Sequence, residues 1–502
     1  MNDSTGSPLL FAFSNLAVNG NCFLTTAAIV DTTTDSNSAT YSLILLDSTG
    51  NILWKKHKIF NKEFVIYDVI PKTLINSGNN FYMLRTNVDY VADSIFPVII
   101  KFNVKSNIIN EYYLSNINFS FMGGSAHLIN LSKDIKFAAV SARTDFNTAS
   151  RIYIYKLDTN CNLINTYNYY SSGYSEIIPK LVKRNNSLIL FSTLYKQISS
   201  SGFVSRIIAR QIDTLGNFLG YFYAGSFADS LYGVEDVIAT KDGGFLIATQ
   251  RYTYSLSQNF QFTNGAFLKL SGTGVKQWMY FPGHYQFGAD TSSVIANSYN
   301  AIELPSGDLM ISGSYHQFKE NGDTITPAEL RPPVYFWFLS KLSSNGELKW
   351  NRLYNYVKPN NKRMYDLYNY DLDTCPDKGF ILSGYLTDYV SGLSSGWLVK
   401  VDSMGCLIPG CHLSPPEEPT DSTVQVLLYP NPADQFINFV PKFFSGEVHY
   451  QLIDMQGRII ADGITANDVT NMMDVRELTP ALYILQVYDE HTRISKKVVV
   501  QR

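Results

Sequence analysis

A paired-hairpin pattern recurs along this 502-residue chain through residue 412, and it constrains the fold more than any other feature. One unit is an alternating strand, a tight Asp/Asn/Gly turn and a second alternating strand. It reads clearly at Val234–Thr249, Asn300–Gly313 and Leu367–Gly384. A second hairpin follows each, as at Leu43–Trp54, Ile207–Leu219, Phe267–Trp278, Phe338–Trp350 and Trp397–Gly405. Its turn anchors are Asp47, Asn103, Asp158, Asp213, Ser271, Ser343 and Asp402, at steps of 56, 55, 55, 58, 72 and 59 residues. Gly, Asn and Asp accept the positive φ that tight hairpin turns require, so the turns have a mechanism and not only a composition.

A period near 56 residues is too short for a sandwich module, which needs roughly 100. Four short strands per unit match the blade of a β-propeller, whose faces are buried against neighbouring blades. The chain therefore reads as all-β, with a seven-bladed β-propeller over residues 1–412. Six or eight blades stay open, because the first copy lacks an obvious closing strand from the C-terminal side. Trp54, Trp278 and Trp350 follow the turn glycines and read as residues that dock one blade on the next.

Forty basic and 43 acidic residues give a net charge of −3, which lacks the basic footprint of nucleic-acid binding. An apolar fraction of 45% with 14% aromatics excludes disorder throughout. No apolar run reaches the 18 residues of a membrane-spanning helix. Signature motifs for metalloprotease, α/β-hydrolase, P-loop or dinucleotide chemistry are missing, so no catalytic residue, metal or cofactor is assigned. Asp371, Asp373 and Asp377 are spaced loosely like a calcium loop but lack its closing Glu. Of five cysteines, a bridge is expected within Cys375, Cys406 and Cys411, and Cys406 and Cys411 bracket a short turn.

The composition changes at a Pro/Glu/Thr linker, residues 413–425. Beyond it, residues 426–502 carry short alternating strands and read as a small immunoglobulin-like β-sandwich. Leu428-Tyr-Pro-Asn-Pro-Ala433 opens this segment, Tyr450-Gln-Leu-Ile-Asp-Met-Gln-Gly-Arg-Ile-Ile460 follows, and Lys496-Lys-Val-Val-Val-Gln-Arg502 ends it. The segment resembles the type A C-terminal sorting domain of the Bacteroidota type IX secretion system, departing from it at Ala481, where Gly is usual. On that resemblance, Tyr429, Pro430, Asn431, Pro432, Gly457, Lys496 and Lys497 belong to the sorting signal. It also implies a signal peptide, which the start of this sequence does not show. The partners implied are the secretion machinery and a sortase-like peptidase that cuts in the linker. The destination implied is the cell surface or the medium. Asp93-Ser-Ile95, Asp229-Ser-Leu231 and Asp323-Thr-Ile325 are similar to the O-glycosylation site used in this phylum.

Loop lengths carry the remaining clue. Turns within hairpins are short, whereas the connections between them are long and would emerge on one face of a propeller, where binding residues collect. The longest of these connections place Tyr252, Tyr254, His284, Tyr285, Tyr315, His316, Arg363 and Tyr365 as candidate ligand-binding residues. Tyr offers apolar area and a hydroxyl together, which suits sugars and peptides. The alternative is that these aromatics pack the loops onto the blades. The expected function is binding of an extracellular glycan or protein. A polysaccharide hydrolase or lyase, with carboxylates around the channel, and a structural surface protein are the alternatives.

Overall fold

The computed structural model describes residues 9–19, 22–31, 39–47, 52–59, 73–89, 94–103, 109–114, 121–144, 148–185, 187–197, 203–225, 231–255, 260–282, 293–318, 334–357, 365–388, 394–407 and 424–501. Among these residues every regular element is a strand. The first sheet holds β1 (Leu9–Asn19), β2 (Cys22–Asp31), β3 (Ala39–Leu46) and β4 (Ile52–Ile59), and the second β5 (Leu74–Ser77), β6 (Asn80–Asp89), β7 (Ser94–Asn103) and β8 (Ile109–Tyr113). The third holds β9 (Phe121–Asn130), β10 (Lys136–Arg143), β11 (Arg151–Leu157) and β12 (Leu163–Tyr169), and the fourth β13 (Ser175–Arg184), β14 (Ser187–Gln197), β15 (Phe203–Asp213) and β16 (Phe218–Ala224). The fifth holds β17 (Leu231–Ala239), β18 (Phe245–Ser255), β19 (Phe260–Leu270) and β20 (Lys276–Tyr280). β21 (Ser293–Glu303), β22 (Leu309–Phe318), β23 (Val334–Leu342) and β24 (Leu348–Val357) begin the sixth. β25 (Tyr365–Thr374), β26 (Phe380–Asp388) and β27 (Ser394–Val401) make a sheet of three strands among the described residues, one fewer than the repeat predicts.

Each of these units is an antiparallel meander in chain order. Their first strands pack in sequence, β1 on β5, β5 on β9 and so on to β25, and β25 returns to β1. The array thus closes on itself by face packing, with β1 against β25, β26 and β27 and, among the described residues, no sheet shared between the two ends. Apolar cores lie between sheets. Phe191 of the fourth sheet meets Phe245 of the fifth edge-on at 5.2 Å, and Trp337 of the sixth meets Trp397 of the next at 4.3 Å.

The repeat's turn residues explain this spacing. Asp158, Asp213 and Asp402 each accept the backbone N–H groups two and four residues on, which holds the turn closed. Three residues into the turn, Gly346 and Gly405 take φ of 86° and 75°. A Cβ at Gly346 would sit 2.8 Å from the Trp278 ring, and one at Gly405 2.9 Å from the Trp350 ring. The outermost aromatic of one sheet therefore lies on the turn of the next, as the Trp positions predict. Cys161 occupies the same place in the third sheet with φ 67°, the one described copy of this turn that has no glycine there. A second recurring contact ties the two hairpins of a unit together. Lys269 bonds Asp242 at 2.6 Å, Lys341 bonds Asp308 at 3.1 Å, and Lys400 bonds Asp377.

The C-terminal segment has seven strands: β28 (Gln425–Tyr429), β29 (Phe436–Lys442), β30 (Val448–Ile453), β31 (Ile459–Thr465), β32 (Val469–Asp474), β33 (Ala481–Tyr488) and β34 (Arg493–Val500). β31-β30-β33-β34 form one sheet, while β28, β29 and β32 form the other and continue the sixth sheet beyond β24. The two sheets share one core that includes Ile437, Phe439 and Met473 from one side and Leu452, Leu485 and Val498 from the other.

Candidate functional site

The innermost strands β5, β9, β13, β17, β21 and β25 surround a cavity of about 390 Å³. Most of its lining is apolar, and its polar members are His127, Lys183, Asp236, Asp371 and Asp373. An innermost strand has one unpaired edge, and buried N–H groups there need partners. Asp236 meets that need across a sheet boundary: its Oδ2 accepts the Ala301 N–H at 3.0 Å, and its Oδ1 accepts the Val237 N–H at 2.9 Å. His127 Nδ1 accepts the Leu181 N–H at 3.1 Å from the equivalent position two sheets earlier. Asp371, again at that position, accepts the Leu372 N–H at 2.9 Å. Asp236 and His127 thus staple inner strands together, and both Asp236 and Asp371 accept backbone N–H groups. Asp377 is spoken for by Lys400 and the Gly379 N–H, and no group of metal-ligating residues assembles among the described residues.

One step toward the long-loop side, three consecutive inner strands are bulged. The ladders shift register at Val234/Asp236, Ser298/Asn300 and Asn369/Asp371, which leaves Glu235, Tyr299 and Tyr370 as the extra residues. A bulge re-aims a side chain out of the alternation, and this is the device that brings Tyr299 and Tyr370 together. Tyr299 meets Tyr370 edge-on at 6.4 Å across the boundary between two sheets. Tyr370 lies 5.3 Å from Tyr385, which stacks on Tyr368 at 5.0 Å and 22°. All four rings are partly exposed. The Tyr370 hydroxyl is pushed well above its ordinary range, by burial first and by the neighbouring tyrosines second. Glu235 is partly exposed as a residue while its carboxyl is enclosed. Burial raises that carboxyl above the usual range against the pull of Lys180, and it accepts a 3.3 Å bond from Gln250 Nε2.

The residues expected from loop length fall differently. Tyr252 and Tyr254 lie in the loop-side half of β18, paired with Thr263 and Gln261. His316 pairs with Ile295 and Tyr335, and Tyr365 opens β25 opposite Asp388. His284, Tyr285 and Arg363 lie outside the described residues, as do Cys411 and the Asp-Ser/Thr acidic positions Asp93, Asp229 and Asp323. Tyr315 is corrected to a core residue. It is 6% exposed, packs 4.7 Å from Phe338, and its hydroxyl donates to the Pro282 carbonyl at 2.8 Å. It fastens the chain entering the sixth sheet. Tyr299, Tyr368, Tyr370, Tyr385 and Glu235 were missed because loop length was the criterion. Aligning the repeats would have found them, since Glu235-Asp, Tyr299-Asn and Tyr370-Asp occupy one column.

In the C-terminal segment the first and last motifs meet. Asn431 Nδ2 donates to the Lys497 carbonyl and Asn431 Oδ1 accepts the Val499 N–H, both at 2.8 Å. Ala433 continues the contact, donating to Val499 O at 2.8 Å and accepting from Gln501 N at 2.9 Å. Gly457 ends an Asp454-anchored turn with φ 81°. Pro430, Asn431, Pro432, Gly457, Lys496 and Lys497 are exposed, while Tyr429 is partly buried and its hydroxyl is raised by that burial. Cys406 is disulfide-bonded to a cysteine outside the described side chains. Cys375 is a free buried thiol, so it takes no part in a bridge, and Cys161 is free and buried too.

Residues 427–501 match the family described as secretion system C-terminal sorting domain. That segment marks the chain for the cell surface or the medium. No curated protein matches the chain. Among solved structures it is similar to the α-L-arabinofuranosidase Arb93A from Fusarium graminearum, with 11% identity over 68% of this chain and 96% of that one, TM-score 0.39. Hydrazine synthase from Kuenenia stuttgartiensis is 13% identical over 79% and 97%, TM-score 0.42. The β-propeller domain of the Trilobed protease from Pyrococcus furiosus is 8% identical over 78% and 95%, TM-score 0.40. Likenesses at this level assign no activity and no ligand to this chain.

Proposed function

We propose that the chain is a secreted or surface-held recognition protein. In this reading residues 1–412 form a seven-bladed β-propeller, residues 413–425 a cleavable linker, and residues 426–502 an immunoglobulin-like sorting domain. The propeller binds an extracellular glycan, without catalysis, at the long-loop end of its channel. The observation that carries this reading is the tyrosine group of Tyr299, Tyr368, Tyr370 and Tyr385. Partly exposed rings with hydroxyls present flat apolar faces and hydrogen-bonding edges side by side, which is what a sugar ring needs. The hydrolase or lyase reading has Glu235 in its favour, as an enclosed carboxyl whose pKa burial raises. Against it, its neighbour Asp236 is committed to two backbone N–H groups, and two working carboxylates are the usual requirement for glycoside hydrolysis.

Glycan-array binding by the full chain tests this, beside a Tyr368→Ala/Tyr385→Ala variant. Truncating two stacking rings should weaken selective binding roughly tenfold or more, about 1.4 kcal/mol, in a chain that still folds. Equal binding by both forms rules out the tyrosine group. Depolymerisation of a bound polysaccharide, abolished by Glu235→Gln, would replace recognition with catalysis.

A further inference from the structure

The C-terminal segment is attached to the ring by more than its linker. β32 lies parallel to β24, with Leu353 opposite Val469 and the register continuing to Val357 opposite Met473. β24 is built for this. It runs ten residues, against eight in β4, five in β8, seven in β12, seven in β16 and five in β20, and its last five, Leu353–Val357, take β32. Val469 is fully buried in the core between the fifth and sixth sheets, beside Leu246 and Phe338. Met472 packs on the cluster around Trp337 and Trp397, beside the three-stranded sheet. Asn355 Nδ2 donates to Asn471 Oδ1 at 3.4 Å, and the Tyr356 hydroxyl donates to Asp474 Oδ2 at 3.4 Å.

An open outer strand is a template for pairing, and strand addition combines backbone hydrogen bonds with side-chain burial. Here the strand comes from the chain's own tail. The exposed sorting-signal residues Lys496 and Lys497 lie on β34, in the sheet that is not paired with β24, while Tyr429 ends β28 and Asn431 lies in the turn from β28 to β29, both strands of the docked sheet. Docking through β32 therefore leaves the β34 part of the signal exposed.

We propose that the sorting domain is held on the sixth sheet as a strand donor, so that cutting the linker does not by itself free it. It keeps Lys496 and Lys497 exposed while docked, and its departure requires β32 to be stripped from β24. The proposal rests on reading residues 427–501 as a sorting domain only for its biological meaning. An export assay tests that reading, and the docking is tested separately as follows.

A site-specific protease sequence is placed between Ser414 and Thr423 of the full chain, and the cut protein is run on size exclusion under native conditions. The two fragments should co-elute, and a Val469→Asp/Met472→Asp variant should release the small fragment. Separate elution of the wild-type fragments overturns the proposal, and so does co-elution of the variant's. A second arm does not depend on a destabilised variant. Tyr356→Cys with Met472→Cys joins register partners, so mild oxidation should keep the cut fragments together on a denaturing, non-reducing gel. Failure to cross-link overturns the pairing.

Discussion

Asn431 clasps Val499: its side-chain oxygen accepts the Val499 N–H at 2.8 Å while its amide donates to the Lys497 carbonyl at the same distance. Motifs at the two ends of the sorting segment thus act as one structural unit. Asn431→Ala removes two bonds to an edge strand and should cost the segment about 1–2 kcal/mol. Hydrogen exchange at the Val499 amide reads this directly. Unchanged protection there would show that the Asn431 clasp adds nothing to the pairing of β34 with β33.

The turn position shared by Gly405 and Cys161 sets up a contrast. Gly405→Ala combines strain at positive φ with a clash against Trp350, and should destabilise by roughly 2–4 kcal/mol. Cys161→Gly relieves the same strain while losing a buried thiol, so it should stay within about 1 kcal/mol of the parent. Chemical denaturation of both variants decides the matter, and equal effects would mean that the ring contact has no energetic weight.

Glu235 should make stability depend on pH. Its folded-state pKa lies above the ordinary 4.5 because of burial, so the folded chain keeps a proton that the unfolded chain gives up. The associated stability is fully present below pH 4.5 and is lost as pH rises through the folded value. Glu235→Gln should flatten this dependence and raise the melting temperature relative to the parent on the alkaline side. Parallel melting curves from pH 4 to 8 would count against an enclosed neutral carboxyl.

Tyr315 and the tyrosine group separate stability from recognition. Tyr315→Phe leaves the Pro282 carbonyl without its donor and should cost about 1 kcal/mol of stability with binding intact. A Tyr315→Phe chain of parental stability that had lost its ligand would reverse the assignment.

The two free thiols among the described side chains, Cys161 and Cys375, should resist alkylation. Burial pushes Cys161 up to about 11 and Cys375 up to about 12, so little thiolate forms at pH 8. Mass spectrometry of the native chain should find both peptides unmodified, with labelling only after denaturation. Rapid labelling of Cys375 in the native state would contradict its burial.

Local chemistry made much of this protein legible from its residues. The turn at Asp402–Cys406 closes through its own side chain and glycine, so its sequence is enough to recognise it. The hairpin period and the Trp350 that covers the next turn follow from the same kind of short-range rule, whereas the sorting motifs were legible only through their resemblance to a known family. Loop length was a poorer guide, because it shows where chain emerges and not where a side chain points. Tyr315 illustrates this: its position beside a long connection suggested a surface, and its hydroxyl lies buried against Pro282.

What the residues determined by themselves is the repeating strand-and-turn unit, since φ preferences and hydrophobic alternation act within a few residues. Tertiary structure alone decided the rest. Glu235, Tyr299 and Tyr370 sit at one level because three ladders bulge at the same place in adjacent sheets. β24 receives β32 because an open edge and a strand distant in the chain happen to match in register and apolar face. Such pairings depend on which edges the closed ring leaves open, and that is set only when the whole chain has packed.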